Sequence, residues 1–120
     1  MSADRELLEL AAKAAGLDDA EWQDMEGWGE VRHGFSHAMW SKTLHEACGT
    51  GYWNPLIDDG DAFRLAVKLN LAISIEEGQS WAHHEHVIDG NPVQHNGRYP
   101  YAATRRAIVH AAAEIGRAMP

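Results

Sequence analysis

Asp58-Asp59-Gly60-Asp61-Ala62-Phe63-Arg64-Leu65-Ala66-Val67-Lys68-Leu69-Asn70-Leu71-Ala72-Ile73-Ser74-Ile75 changes its hydrophobic period midway. Up to Leu69, the apolar residues Ala62, Leu65, Ala66 and Leu69 recur at helical spacing, with Asp61, Arg64 and Lys68 on the opposite face. Asp58 or Asp59 can cap that helix, Asp61 adds negative charge to its first turn, and Asn70 suits the C′ position. From Leu71 to Ile75 large and small residues alternate, the period of a strand packed on one face. Residues 76–80 then turn the chain, and residues 81–88 return antiparallel as the second arm of a hairpin. A helix feeding an antiparallel hairpin sets the class as α+β.

The flanks extend this pattern. Ser2 can cap a first helix over residues 3–15, with Leu7, Leu10, Ala11 and Ala14 as its apolar stripe and Gly16 at C′. Residues 17–57 hold Trp22, Trp28, Trp40 and Trp53 among glycines at 27, 29, 34, 49 and 51. That punctuation suits short strands near 21–25, 30–32 and 37–40, with a helical turn over 41–47 ending at Gly49. Residues 89–100, with Gly90, Asn91-Pro92, Asn96-Gly97 and Pro100, read as loop. A third helix spans 101–118, with Thr104, Ala107, Ile108, Ala111, Ala112, Ile115 and Met119 inward and Arg106, His110, Ala113, Glu114 and Arg117 outward. The expectation is one α+β domain over 1–120: three helices packed on a small antiparallel sheet, layered as an α-β-α sandwich.

Composition narrows the function classes. The 120 residues carry 18 acids, 10 Lys or Arg and 8 His, for a net charge of −8. Leu, Ile, Val and Phe are scarce, and alanine and tryptophan make up the core material, so a small-residue interior plugged by indoles is expected, with a radius of gyration of about 14 Å. Cys48 stands alone, which excludes an intramolecular disulfide and a Cys-rich zinc site. The first residues lack a signal-peptide pattern and no apolar run reaches the roughly 18 residues of a membrane span, so the reading is cytoplasmic. Asp18, Asp19, Glu21, Asp24, Glu26 and Glu30 fall in residues 18–30 without a base between them. Such a field repels phosphate backbones, so direct nucleic-acid binding is not expected; a solvated acidic face is the plain reading, and a basic partner surface or mimicry of nucleic acid the functional ones.

Several residue clusters invite chemical readings. His33 and His37 have the spacing of a helical metal pair, but Gly34 and the glycines before it disfavour helix, and on a strand they lie about 13 Å apart. In His83-His84-Glu85-His86, a strand puts His84 and His86 on one side about 7 Å apart, close enough to share an ion if His95 or an acid supplies a third ligand. Solvent-facing histidines on a hairpin are the plainer reading. Asp58-Asp59-Gly60-Asp61 lacks the alternating ligands and terminal Glu of a calcium loop, and helix capping accounts for its acids. Gly49-Thr50-Gly51 is a turn without the lysine of a phosphate loop. Cys48 beside His45 has no oxyanion donors near it. Arg105-Arg106, with Arg98 and Arg117, is the basic concentration: the solvated face of a helix, or an anchor for an acidic partner. No catalytic, cofactor-binding or metal residue is assigned, and no cofactor is expected.

The run Trp53-Asn54-Pro55-Leu56-Ile57-Asp58-Asp59-Gly60-Asp61-Ala62, continuing through Leu69, and the run Tyr101-Ala102-Ala103-Thr104-Arg105-Arg106-Ala107-Ile108 through Ile115 together resemble the phage ABA sandwich domain family of small tailed-phage and prophage proteins. The similarity covers about 53–75 and 99–118 well and the first helix loosely. Its most specific part is W-N-P-L followed by the aspartate-rich cap. The resemblance implies α-β-α layering and carries over no catalytic residue. The resulting expectation is a non-catalytic phage or prophage accessory protein, a monomer or small homo-oligomer, that binds a host or phage protein. Two rivals stand beside it: an anti-defence inhibitor or nucleic-acid mimic built on the acidic 18–30 segment, and a metal-dependent enzyme centred on His84 and His86.

Overall fold

The computed structural model describes residues 3–24, 37–83, 93–95 and 100–120. Its elements run α1 (Ala3–Ala14), β1 (Glu21–Asp24), β2 (His37–Trp40), α2 (Lys42–Cys48), β3 (Tyr52–Trp53), α3 (Asp59–Lys68), β4 (Ala72–Glu76), β5 (Gln79–His83), β6 (Val93–His95) and α4 (Pro100–Ala118). The fold is α+β, as the change of period indicates. Among the described residues there are four helices in place of three, and two three-stranded antiparallel sheets in place of one, ordered β1-β2-β3 and β4-β5-β6.

Local chemistry explains most of the element ends. Asp58 caps α3 by accepting from the Asp61 N–H at 2.8 Å. Asn70 closes α3 with a left-handed φ of 54°, and the Leu71 N–H reaches back to the Ala66 carbonyl at 3.0 Å. Gly16 ends α1 in the same manner, with the Leu17 N–H on the Ala12 carbonyl. The expected turn at 41–47 is a complete helix, because Ser41 accepts from the Leu44 N–H and Gly49 returns its own N–H to His45. The hairpin loop tightens from the expected 76–80 to Glu77-Gly78, so β4 and β5 pair from Glu76–Gln79 to Ala72–His83. Residues 89–100 are not wholly loop: Val93–His95 pairs with β5. The expected Ser2 cap and the strand near 30–32 lie outside the described residues, as does the continuation of β5 beyond His83.

The core gathers around α4. That helix packs most extensively on α1, and it also contacts α3, β5 and β6. Being covered on more than one side, it buries Val109 and Ala113 as well as Ala107, Ile108, Ala111 and Ala112. Ala113 therefore faces inward where the periodicity places it outward, while Ile115 is only half-buried and Met119 is exposed. On α1 the buried residues are Leu7, Leu8, Ala11 and Ala12, a stripe rotated away from the expected Leu10 and Ala14. Leu65, Ala62 and Ala66 of α3, Met39 of β2, Trp53 of β3 and Ala82 of β5 complete the same core. Met39 and Trp53 face each other across the β2–β3 ladder, so the indole closes one end of the interior. The radius of gyration is 13.9 Å, as a chain of this length packed to ordinary density requires.

Candidate functional site

The aspartate-rich segment is assembled as a structural joint. Asn54 donates its backbone N–H to Asp61 Oδ2 at 3.0 Å and accepts from the Leu56 N–H on Oδ1 at 3.0 Å. Arg64 Nη2 donates to Asp61 Oδ1 at 2.8 Å and lies 3.8 Å from Asp58 Oδ2. Asp59 accepts from Arg105 Nη1 at 2.6 Å, and Arg105 Nε donates to the Leu56 carbonyl at 2.9 Å, tying the loop to α4. Each acid thus has an internal task. Burial pushes the Asp61 carboxyl above its ordinary value, against the opposing pull of the hydrogen bonds from Asn54 and Arg64.

The other sequence candidates disperse. Arg106 pairs with Asp4 of α1 at 3.0 Å and Arg117 with Glu114, so the arginines of α4 serve acids of their own chain; Arg98 lies outside the described residues. Cys48 is exposed, and the His45 ring lies against Trp40 at 6.1 Å between centroids. Gly51 supplies its carbonyl to the Ser41 N–H, and a Cβ there would meet the Ser41 carbonyl and the Trp40 indole at 2.7 Å, so its glycine serves close approach. Asp19, from the acidic segment, accepts from Ser41 Oγ at 2.7 Å and from the Thr43 N–H and Oγ1 at 2.9 Å. Those bonds, Ser41's first, hold its carboxyl below the usual value. His33, His84 and His86 lie outside the described residues. β6 sets His95 opposite Gln79, about 13 Å along β5 from His83. Among the described residues no group of three or more His, Cys, Asp or Glu converges as a metal site.

What remains is apolar and exposed. A groove of about 550 Å³ runs between α3, β4 and the start of α4. Ala62 and Ile108 lie at its base, with Phe63, Ile73, Ile75, Pro100, Tyr101 and Thr104 around them and the Asp59–Arg105 ion pair at the rim. Phe63 is 67% exposed, Tyr101 75%, Ile75 64% and Ile73 38%, and Val67, one turn along α3 from Phe63, is 60% exposed. Ile73 and Ile75 sit opposite Ala82 and Ser80 of β5. Ala82 and Ser80 are fully buried, and Ser80 Oγ accepts from Thr104 Oγ1 of α4 at 3.0 Å. The isoleucines therefore share the helix-covered face of the sheet but extend beyond the cover. The alternation at 71–75 forecasts a strand packed on one face; among the described residues β4 instead stands at the sheet edge, with Ile73 and Ile75 exposed on that face. A smaller cleft of about 350 Å³ lies between Leu17, Leu44, Trp53 and Leu65, with Arg64 and Lys68 on its α3 side.

Patches of this kind mark contact surfaces on soluble domains. The fold and face together define a small α+β domain with an exposed apolar groove. No family model, curated protein or solved structure matches the chain, so its reading rests on its own residues. No helix among the described residues is long and apolar enough to cross a membrane.

Proposed function

We propose that the chain is a non-catalytic binding module that engages a protein through the α3–β4–α4 face, working as a phage or prophage accessory protein in the bacterial cytoplasm. One observation carries the binding reading: Phe63, Ile73, Ile75 and Tyr101 are exposed together around a single groove, with Val67 exposed one turn along α3 from Phe63. An aromatic-rich apolar centre bordered by a neutralised charge pair has the anatomy of a protein interface. The acid at the groove, Asp59, supports this, because it is already paired with Arg105 and leaves the centre without a lone charge. The phage assignment rests on the resemblance of 53–75 and 99–118 to the ABA sandwich proteins. Affinity capture from a bacterial lysate, with and without the phage products of an infected culture, tests the reading. A protein retained by the wild-type chain and lost by Phe63→Ser/Tyr101→Ser, with unchanged circular dichroism, is the expected result. Identical capture by both chains would remove the face from the function.

A further inference from the structure

β4 adds a second feature to the same face. β5 lies on one side of it, and among the described residues no strand lies on the other. An edge strand leaves alternate N–H and C=O groups free to pair with another chain. Natural edges are commonly guarded by lysine, proline or a bulge, whereas Ala72-Ile73-Ser74-Ile75 carries none of these and no charge before Glu76.

We propose that this edge joins two copies of the chain, β4 lying antiparallel to β4 of the partner about a twofold axis at Ser74. The inference rests on the reading of this face as a protein interface and names its occupant. Pairing about Ser74 sets Ile73 opposite the partner's Ile75, and Ile75 opposite the partner's Ile73. Residues directly opposite in an antiparallel pair lie on the same sheet face, so all four isoleucines fall on the helical side of one continuous six-stranded sheet. There the two grooves meet, and Phe63 and Tyr101 of each protomer close over the isoleucines.

The charges agree with this register. Glu76 falls opposite the partner's Ala72, so no carboxylates oppose one another across the ladder. Centring the axis on Ile75 would set Ile73 against Glu77, and centring it on Ile73 would move Ile75 against Leu71, outside the strand. The area agrees as well. The exposed fractions of Phe63, Val67, Ile73, Ile75 and Tyr101 leave on the order of 600 Å² of apolar surface per protomer, near the ~800 Å² that each partner contributes to a standard interface.

Sedimentation equilibrium of the full chain, at concentrations on the order of 10–100 µM, tests the pairing within the range of weak specific dimers. The expected mass is twice the 13.3 kDa of one chain. Ile75→Lys, at a side chain exposed in the protomer, should return the mass to that of one chain with an unchanged circular dichroism spectrum. The register has its own readout. In a Cys48→Ser background, Ser74→Cys should cross-link two chains on mild oxidation, because opposite Cα atoms lie within disulfide reach, whereas Ala72→Cys should not. A single-chain mass at every concentration, a dimer that persists in Ile75→Lys, or equal cross-linking at both positions each overturns the proposal. A monomer whose face variants lose a captured protein would overturn the self-pairing and leave the interface reading standing. A monomer that captures nothing would end both.

Discussion

Gly116→Ala separates packing from helix propensity, because the two act in opposite directions. Gly116 lies in the last turns of α4, buried where that helix crosses α1. A Cβ placed there would sit 2.0 Å from the Leu10 carbonyl oxygen, 2.9 Å from its carbon and 3.3 Å from its Cα. Ordinary contact needs roughly 3.5 Å, so the axes would have to part by about 1.5 Å. The obstacle is backbone, and no rotamer change relieves it. Parting the helices would also loosen Leu8, Ala11, Ala107 and Ala112, all within the same core. Overpacking of this kind costs about 1–3 kcal/mol, and a backbone clash belongs at or beyond the upper end. Helix propensity alone would favour alanine by ~1 kcal/mol. The expected net loss is about 1–3 kcal/mol. With a urea m-value of roughly 1–2 kcal/mol/M, the midpoint should fall by about 1 M or more. A midpoint that rises in Gly116→Ala would show that α1 and α4 do not approach as closely as described.

Three further substitutions probe other joints. Asp58→Ala removes the α3 cap and should cost about 1 kcal/mol in denaturant titration, whereas equal stability would end the capping assignment. Asp61→Ala leaves the buried Asn54 N–H without its acceptor and should cost about 1–3 kcal/mol near neutral pH. The raised Asp61 value contributes stability that is present at acid pH and lost as pH rises through it, so the wild-type advantage should grow on acidification, read by the same titrations at several pH values. His110, half-buried on α4, is held below its usual 6.5 first by burial and then by Arg106, against the opposing influence of Glu114 and Asp4. Its contribution is present above that ordinary value and lost as pH falls through the depressed one. Thermal melts should therefore fall more steeply between pH 7 and pH 5 for wild type than for His110→Gln, and parallel pH profiles would refute the effect.

The parts of the fold that announce themselves locally are legible in the sequence. Asp58 as cap and Asn70 as C′ residue are set by side-chain and backbone chemistry within a few residues, and the structure has both. The alternation from Leu71 to Ile75 likewise yields β4. Position within the sheet is a different matter, since it depends on which strands arrive from elsewhere, and the open face of β4 is invisible to local alternation. Ala113 shows the same limit on a helix: α4 has two covered sides, and a single amphipathic stripe cannot represent a helix packed by α1 and β5 together. β3 and β6 are too short for a period to register, and β6 follows Asn91-Pro92, whose turn signal dominates its surroundings. For the candidate site, Phe63 and Val67 already lie off the Ala62-Leu65-Ala66-Leu69 stripe in the sequence. Two large apolar residues on the polar side of an amphipathic helix were the readable signal.

Two departures from ordinary burial lie side by side on α3 and have different explanations. Asp61 is buried, and its carboxylate accepts from Asn54 and Arg64, so hydrogen bonds within the joint offset part of the desolvation cost, the remainder showing as its raised value. Phe63, two residues on, is exposed, and so are Ile75 and Tyr101 around the same groove. Nothing within the described chain offsets that exposure, and each such side chain forgoes the larger part of the roughly 1.5–3 kcal/mol that full burial of a large apolar side chain gives. Scattered singly over a surface, these residues would need no explanation. They converge instead on a groove beside an unguarded strand edge, where main-chain pairing and apolar burial can be satisfied by the same contact. The bonds from Arg105 to Asp59 and to the Leu56 carbonyl tie the loop before α3 to α4, which holds the two helical walls of the groove to one another. A preformed face loses less conformational freedom on binding, which is how a modest apolar area can support a specific complex.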